Sequence, residues 1–389
     1  MKALFMLDIA AGRFDSFVSR FVYLADRLRE TEGYESAFAI AAISPQVHCE
    51  ITSRGYDVHL VPGGGLGDRA RWKSIFHLIN RYKPDVLYVA VESLASMATI
   101  AGFISRVPYT FFEHHAPYPY VCASDGGNSS LKTRIKDHIW HRWIKPKLVD
   151  KLITVSSVYS EKIIEKWGYS PGQVETVPNG MPYPPRLTRP DVNRESLISQ
   201  YEWPEDALLL TCVGRVDERK GFQFLVDAMP AIRKALPSAR LLIVGTGSYL
   251  PELRARAKER EVDNLIAWYG HSHDILSLIG SCDLFVHPAL ADIMPPLVVI
   301  EAYSVGLPVV LANTDDEKIP LEVEGNSGAL IPRGDSDAIA EAVISLGADR
   351  EKLAELGKKN YELYRDYFTL SRVTDQLETI VRETCGTSV

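Results

Sequence analysis

Short apolar runs alternate with amphipathic stretches along this chain, a pattern that predicts parallel strands covered by helices. In the first half, strands are predicted at Ala3–Ile9, Ser36–Ala42, Val58–Val61, Asp85–Val91, Tyr109–Glu113 and Lys151–Val155. Between the first two, Phe14, Phe17, Val18, Phe21 and Leu28 recur on one stripe and predict a helix over Phe14–Arg29. The second half repeats the pattern, with strands predicted at Leu208–Val213, Arg240–Val244, Leu265–Trp268, Leu284–His287 and Pro308–Leu311. The proline-dense stretch from Val177 to Arg186 is the predicted linker. Two doubly wound α/β domains follow, with ligands expected beyond the carboxyl ends of the strands.

A length of 389 residues suits two cores better than one. The 46% hydrophobic and 24% charged fractions are those of a soluble globular protein, and no apolar run is long enough to cross a bilayer. Met1–Asp8 lacks the apolar length and cleavage site of a signal peptide and reads as a first strand. Five scattered cysteines form no even framework and no metal spacing, which points to the cytosol. A net charge of −7 argues against a nucleic-acid partner.

The candidate chemistry gathers in the second half. The run Leu208–Val213 stops at Gly214; Arg215 and Lys220 follow, and Phe222, Leu225, Val226 and Met229 then begin at helical spacing. A strand end, a glycine turn and a helix start gather N–H groups and cations at one point, which suits a phosphate or diphosphate. A surface turn with solvated charges is the plainer alternative. After Arg240–Val244 comes a second glycine turn, Gly245-Thr246-Gly247. Further on, Glu301 stands in an otherwise apolar helix, where a carboxylate needs a partner or a ligand hydroxyl.

These blocks, in this order, resemble the retaining glycosyltransferases of family 4. The resemblance covers nearly the whole chain and is most specific from Val213 to Pro332. It implies an α/β GT-B fold, two Rossmann-like doubly wound domains facing a central cleft. The implied division is an acceptor-binding domain over 1–185, a nucleotide-sugar-binding domain over 186–370, and a helix over 371–389 that crosses back to the first. The resemblance assigns Arg215 and Lys220 to the donor's diphosphate, Gly214 and Gly245 to donor binding, and Glu301 to the ribose hydroxyls. Tyr269, Gly270 and His271, in the loop after a strand, resemble the segment that holds the nucleobase. Gly12 matches a glycine near the phosphates or the acceptor. Of the pair after the strand at Phe112, His114 fits the catalytic, sugar-contacting histidine best, with His115 one residue off. The implied substrates are a nucleotide-diphosphate sugar, most commonly with uridine, and a glycan or lipid-linked acceptor. No cofactor is expected, and no metal, since no Asp-x-Asp pair follows a strand in the cleft-forming loops.

The chain also departs from the family. The first glutamate of the Glu-x7-Glu motif is Ile293 here, followed by Met294-Pro295-Pro296 in place of glycine–aromatic–glycine, with Leu297 next. Ile293 accepts no hydrogen bond, and two prolines remove two N–H donors. Asp292 could supply the missing carboxylate if the loop shifts by one residue. Thr314–Lys318 is acidic where the family often carries a double glycine, and Gly63–Gly67 reads as a loop outside any nucleotide motif. Two readings stand, an enzyme tuned for an unusual substrate and an impaired nucleotide-sugar-binding protein; retention of Arg215, Lys220, Glu301 and the histidine pair favours the enzyme. Residues 131–148 carry Lys132, Arg134, Lys136, Arg142, Lys145, Lys147, Trp140 and Trp143 around an inner stripe. That segment is either a peripheral contact for the inner membrane face or an ordinary packed helix with a solvated cationic side.

Overall fold

The computed structural model describes residues 1–11, 16–62, 68–90, 92–115, 139–183, 192–292, 295–313 and 328–386. Within these, residues 8–11, 16 and 92–96 are described by backbone alone. Gly12, Gly63–Gly67, Ile293, Met294 and Thr314–Lys318 lie outside the described residues, as do the linker from Pro184 to Arg186 and residues 131–138.

The chain forms two compact units, one of Met1–Gly180 with Leu370–Val389 and one of Met181–Thr369. It therefore leaves the first unit after Gly180 and re-enters it at Leu370.

The first unit holds a parallel sheet in the order β3-β2-β1-β4-β5-β6-β7. Its strands are β1 (Lys2–Ala11), β2 (Glu35–Ile43), β3 (Asp57–Leu60), β4 (Val86–Ala90), β5 (Tyr109–His114), β6 (Lys151–Thr154) and β7 (Val174–Thr176). Every residue of β4 is buried, as a strand covered on both faces requires, and so it reads in sequence as an unbroken apolar run. Phe5, Phe38, Tyr88 and Phe111 stack across neighbouring strands, with ring centroids 5.2 Å apart for Phe5 and Phe38 and 5.8 Å for Tyr88 and Phe111. The helix Leu370–Cys385 buries Val373, Leu377 and Val381 in the core that also takes Phe21, Leu24 and Leu28 of the helix Ser16–Glu32. Arg27 and Asp375 pair across these two helices at 2.9 Å.

The second unit holds a parallel sheet in the order β10-β9-β8-β11-β12-β13. Its strands are β8 (Leu208–Val213), β9 (Ala239–Val244), β10 (Ile266–Gly270), β11 (Leu284–His287), β12 (Val309–Asn313) and β13 (Gly328–Pro332). Alternation along β8 sends Leu208, Leu210 and Cys212 into one core and Leu209 and Val213 into another. The first core is closed by the helices Phe222–Ala235 and Ser336–Gly347, the second by Leu297–Ser304.

Two differences from the sequence reading bear on the expected site and membrane segment. β10 runs on through Tyr269 and Gly270, so only His271 of that trio lies beyond the strand. A register shift between Trp268 and Gly270 lets the pairing continue. The stretch expected as one helix over 131–148 is, where described, a π-helical turn at Trp140–Ile144 followed by a 3-10 turn at Lys145–Lys147. Lys145, expected on a solvated face, is fully buried with its Nζ 3.7 Å from the centre of the Phe112 ring. Trp143 remains exposed.

Candidate active site

In the second sheet β8 lies between β9 and β11, so the connections out of β8 and β11 diverge at their carboxyl ends. Such a switch point opens a crevice for a ligand. The turn after β8 is braced from both sides. Towards β9, Gly214 N–H donates to the Val244 carbonyl at 3.0 Å and Val216 N–H to that of Thr246 at 3.0 Å. Gly245 N–H in turn donates to the Gly270 carbonyl at 2.7 Å. A Cβ on Gly245 would sit 1.8 Å from the Gly214 carbonyl oxygen, so only glycine allows these loops to meet. Towards β11, Leu290 N–H donates to the Arg219 carbonyl at 2.8 Å. A Cβ on Gly221, at φ 72°, would meet the Pro288 carbonyl oxygen at 1.9 Å.

This bracing sets Lys220 beside the loop after β11. Its Nζ donates to Asp292 Oδ2 at 2.5 Å, and His287 Nε2 lies 3.0 Å from the same oxygen. Burial would raise the Asp292 carboxyl, but His287 and Lys220 outweigh it and hold the group down to about 2. Asp292 is thus a fixed negative charge on the cation expected to hold a diphosphate. Arg215 has a largely exposed side chain whose Nε donates to Asp217 Oδ2 at 2.9 Å. Each expected diphosphate cation is therefore engaged by a carboxylate, in a contact open enough to exchange.

Glu301 lies in the helix Leu297–Ser304, partly buried. Burial pushes its carboxyl up to about 7, and no side-chain partner is found for it among the described residues. Pro296 precedes the helix with extended backbone, and Leu297 opens it. His271, exposed just past β10, packs edge-on against His273 with ring centroids 4.7 Å apart. Lys220, Asp292 and His287 thus form one cluster, and Gly214, Gly245 and Gly270 one backbone ladder beside it. His287 was not anticipated; its signal was a polar residue ending an apolar strand.

In the first unit the histidine pair divides. Strand alternation places Phe112 and His114 on one face of β5 and Glu113 on the other. His114, preferred on spacing, is 2% exposed and packs edge-on against Trp167 with centroids 5.7 Å apart. His115, the first residue past the strand, keeps 15% of its side chain exposed and is the more open of the two. Its Nε2 lies 2.8 Å from Glu113 Oε1, and its ring meets Phe17 edge-on at 4.8 Å. Glu113 is fully buried, with Arg20 Nε 2.7 Å from Oε1 and the Tyr88 hydroxyl donating to Oε2 at 2.5 Å. Arg20 also donates to the carbonyls of Val177, at 3.1 Å, and Pro178. Arg20 and Glu113 escaped the sequence reading, although each is a charge inside an apolar pattern.

Comparison with known proteins adds to this geometry. Residues 193–363 match the family model described as glycosyl transferases group 1, and residues 18–182 match that of Glycosyltransferase Family 4. An Escherichia coli UDP-Gal:alpha-D-GlcNAc-diphosphoundecaprenol alpha-1,3-galactosyltransferase is 23% identical over 283 residues, covering 71% of this chain and 70% of that one. A phosphatidyl-myo-inositol mannosyltransferase of Mycobacterium leprae is 30% identical over 207 residues, 51% of this chain and 54% of that one. Among solved structures, Anabaena HepE in complex with UDP superposes with a TM-score of 0.78 at 19% identity, covering 98% of this chain and all of that one.

Proposed function

This chain belongs to glycosyltransferase family 4 and has its GT-B fold, and from that premise we propose that it transfers a sugar from a uridine diphosphate donor to a lipid-linked or glycan acceptor, with retention and without a metal. The carrying observation is Lys220 at the β8/β11 switch point, braced from two sides and paired with an exchangeable carboxylate. When the sugar–phosphate bond breaks, the diphosphate gains charge, and Lys220 and Arg215 stabilise that charge more in the transition state than in the ground state. The departing diphosphate takes the acceptor's proton as the hydroxyl attacks from the same face. Glu301, in its ionised form, accepts the two ribose hydroxyls. Asp292, released from Lys220 by the diphosphate, offers the carboxylate that Ile293 lacks. His115 contacts the transferred sugar. The names of the Escherichia coli and Mycobacterium leprae relatives, a diphosphoundecaprenol and a phosphatidylinositol, support a lipid-linked acceptor. No helix among the described residues is long and apolar enough to cross a membrane. Exposed Ile139, Trp143 and Ile144 beside Arg142 and Lys147 support peripheral contact with anionic lipid, which vesicle sedimentation tests.

Incubation with a panel of nucleotide sugars and lipid-linked acceptors should release nucleoside diphosphate, with the α-linkage of an α-configured donor kept in the product. An inverted product would end the retaining reading. Pro295 and Pro296, which carry no N–H donor ahead of Leu297, favour a second reading, binding without transfer. Saturable donor binding with no release across the panel would establish it.

A further inference from the structure

We propose that Glu113 is the positioning residue for His115: its carboxylate, anchored by Arg20 and Tyr88, fixes the imidazole through Nε2 and leaves Nδ1 as the nitrogen offered to a hydroxyl of the transferred sugar. The inference rests on the reading of His115 as the sugar-contacting histidine.

Three observations carry it. First, the Glu113 carboxylate is shared within one buried cluster. Oε1 lies 2.7 Å from Arg20 Nε and 2.8 Å from His115 Nε2, while Oε2 accepts the Tyr88 hydroxyl at 2.5 Å. The two approaches to Oε1 are close charge contacts outside hydrogen-bond alignment, and a negative oxygen 2.8 Å from Nε2 favours the ring form with its proton on that nitrogen. Burial alone would raise the Glu113 carboxyl, but Arg20 and His115 hold it below the ordinary carboxylate range. Secondly, the ring is confined on its other sides. Phe17 and Phe21 meet it edge-on, at centroid distances of 4.8 and 6.4 Å, and Nδ1 has no partner among the described residues. Thirdly, Arg20 is itself immobilised: it is 1% exposed and donates to the Val177 and Pro178 carbonyls. Apolar side chains of similar volume would serve stability as well as a sealed ion pair does. What apolar packing could not supply is a fixed negative charge 2.8 Å from one atom of His115.

The test has two arms. In histidine-15N-labelled wild-type protein, with the His115 signals assigned by their loss in His115→Asn, the ring should carry its proton on Nε2. A ring protonated on Nδ1 with a bare Nε2 overturns the proposal, and this arm needs no turnover, so it stands even if the transferase reading fails. In the kinetic arm, Glu113→Gln should lower kcat on the order of tenfold to a hundredfold, as a misplaced contact does. The donor KM should stay within about twofold of wild type. Adding Glu113→Gln to His115→Ala should then cost nothing further. An equal kcat loss with and without His115, or wild-type kcat per folded molecule in Glu113→Gln, would reduce Glu113 to a structural group.

Discussion

The two sheets wind in the same manner, yet the charges at their carboxyl ends are kept in opposite conditions. In the first unit Arg20 and Glu113 are 1% and 0% exposed, bond to Tyr88 and two carbonyls, and hold His115 in charge contact at 2.8 Å. In the second, Lys220 and Asp292 are 27% and 18% exposed. A sealed pair cannot change partners without stranding a buried charge, so it suits holding another group in place. A half-open pair trades its carboxylate for a phosphate at small cost, because water screens the exchange. Under the proposed function, the contrast separates a charge that positions from a charge that binds.

The contrast breaks first on stability. Glu113→Ala strands Arg20 and should cost about 3–5 kcal/mol in denaturant unfolding, whereas Asp292→Asn should stay within about 2 kcal/mol. Equal losses would erase the distinction. On activity the order reverses, for Lys220→Ala should lower kcat/KM by about a hundredfold to a thousandfold in initial-rate assays while unfolding near wild type. A third measurement uses Glu301, whose carboxyl is pushed up to about 7. In the proposed role the ribose hydroxyls need the ionised form, so calorimetric affinity for uridine diphosphate should be full above that value and weaken about tenfold from pH 8 to pH 6. Because the phosphate also titrates, the part assigned to Glu301 is the part lost in Glu301→Gln. The smallest effect concerns exchange itself. Asp292→Asn should tighten uridine diphosphate by about fivefold or less, and the gain should shrink with added salt.

Most of the fold could be read from the chain where strands are sealed on both faces. β8 and β11 run over Leu208–Val213 and Leu284–His287, the expected limits, because an unbroken apolar run ended by a polar or glycine residue has one reading. β7 and β13, at the sheet edges, escaped: one is only Val174–Thr176, and the other begins with glycine and ends with proline. Glu301 stood out because a carboxylate inside an apolar helix has no local explanation. Arg20 and Glu113 obey the same rule, but each explains the other only across a gap of 93 positions that no local pattern spans. The histidine pair turned on one residue. With the strand ending at Glu113 both stay available; with β5 extended through His114, alternation sends that ring inward and leaves His115 at the exit.

The helix Leu370–Cys385 gives the molecule a peculiar order of completion. As the chain is made, residues 181–369, the whole second unit, emerge before the helix that covers Phe21, Leu24 and Leu28 in the first. At about 5–20 residues per second, the first unit waits roughly 10–40 s for its last apolar wall. The part begun first finishes last, and during that interval its exposed face is one that a nascent-chain chaperone could cover.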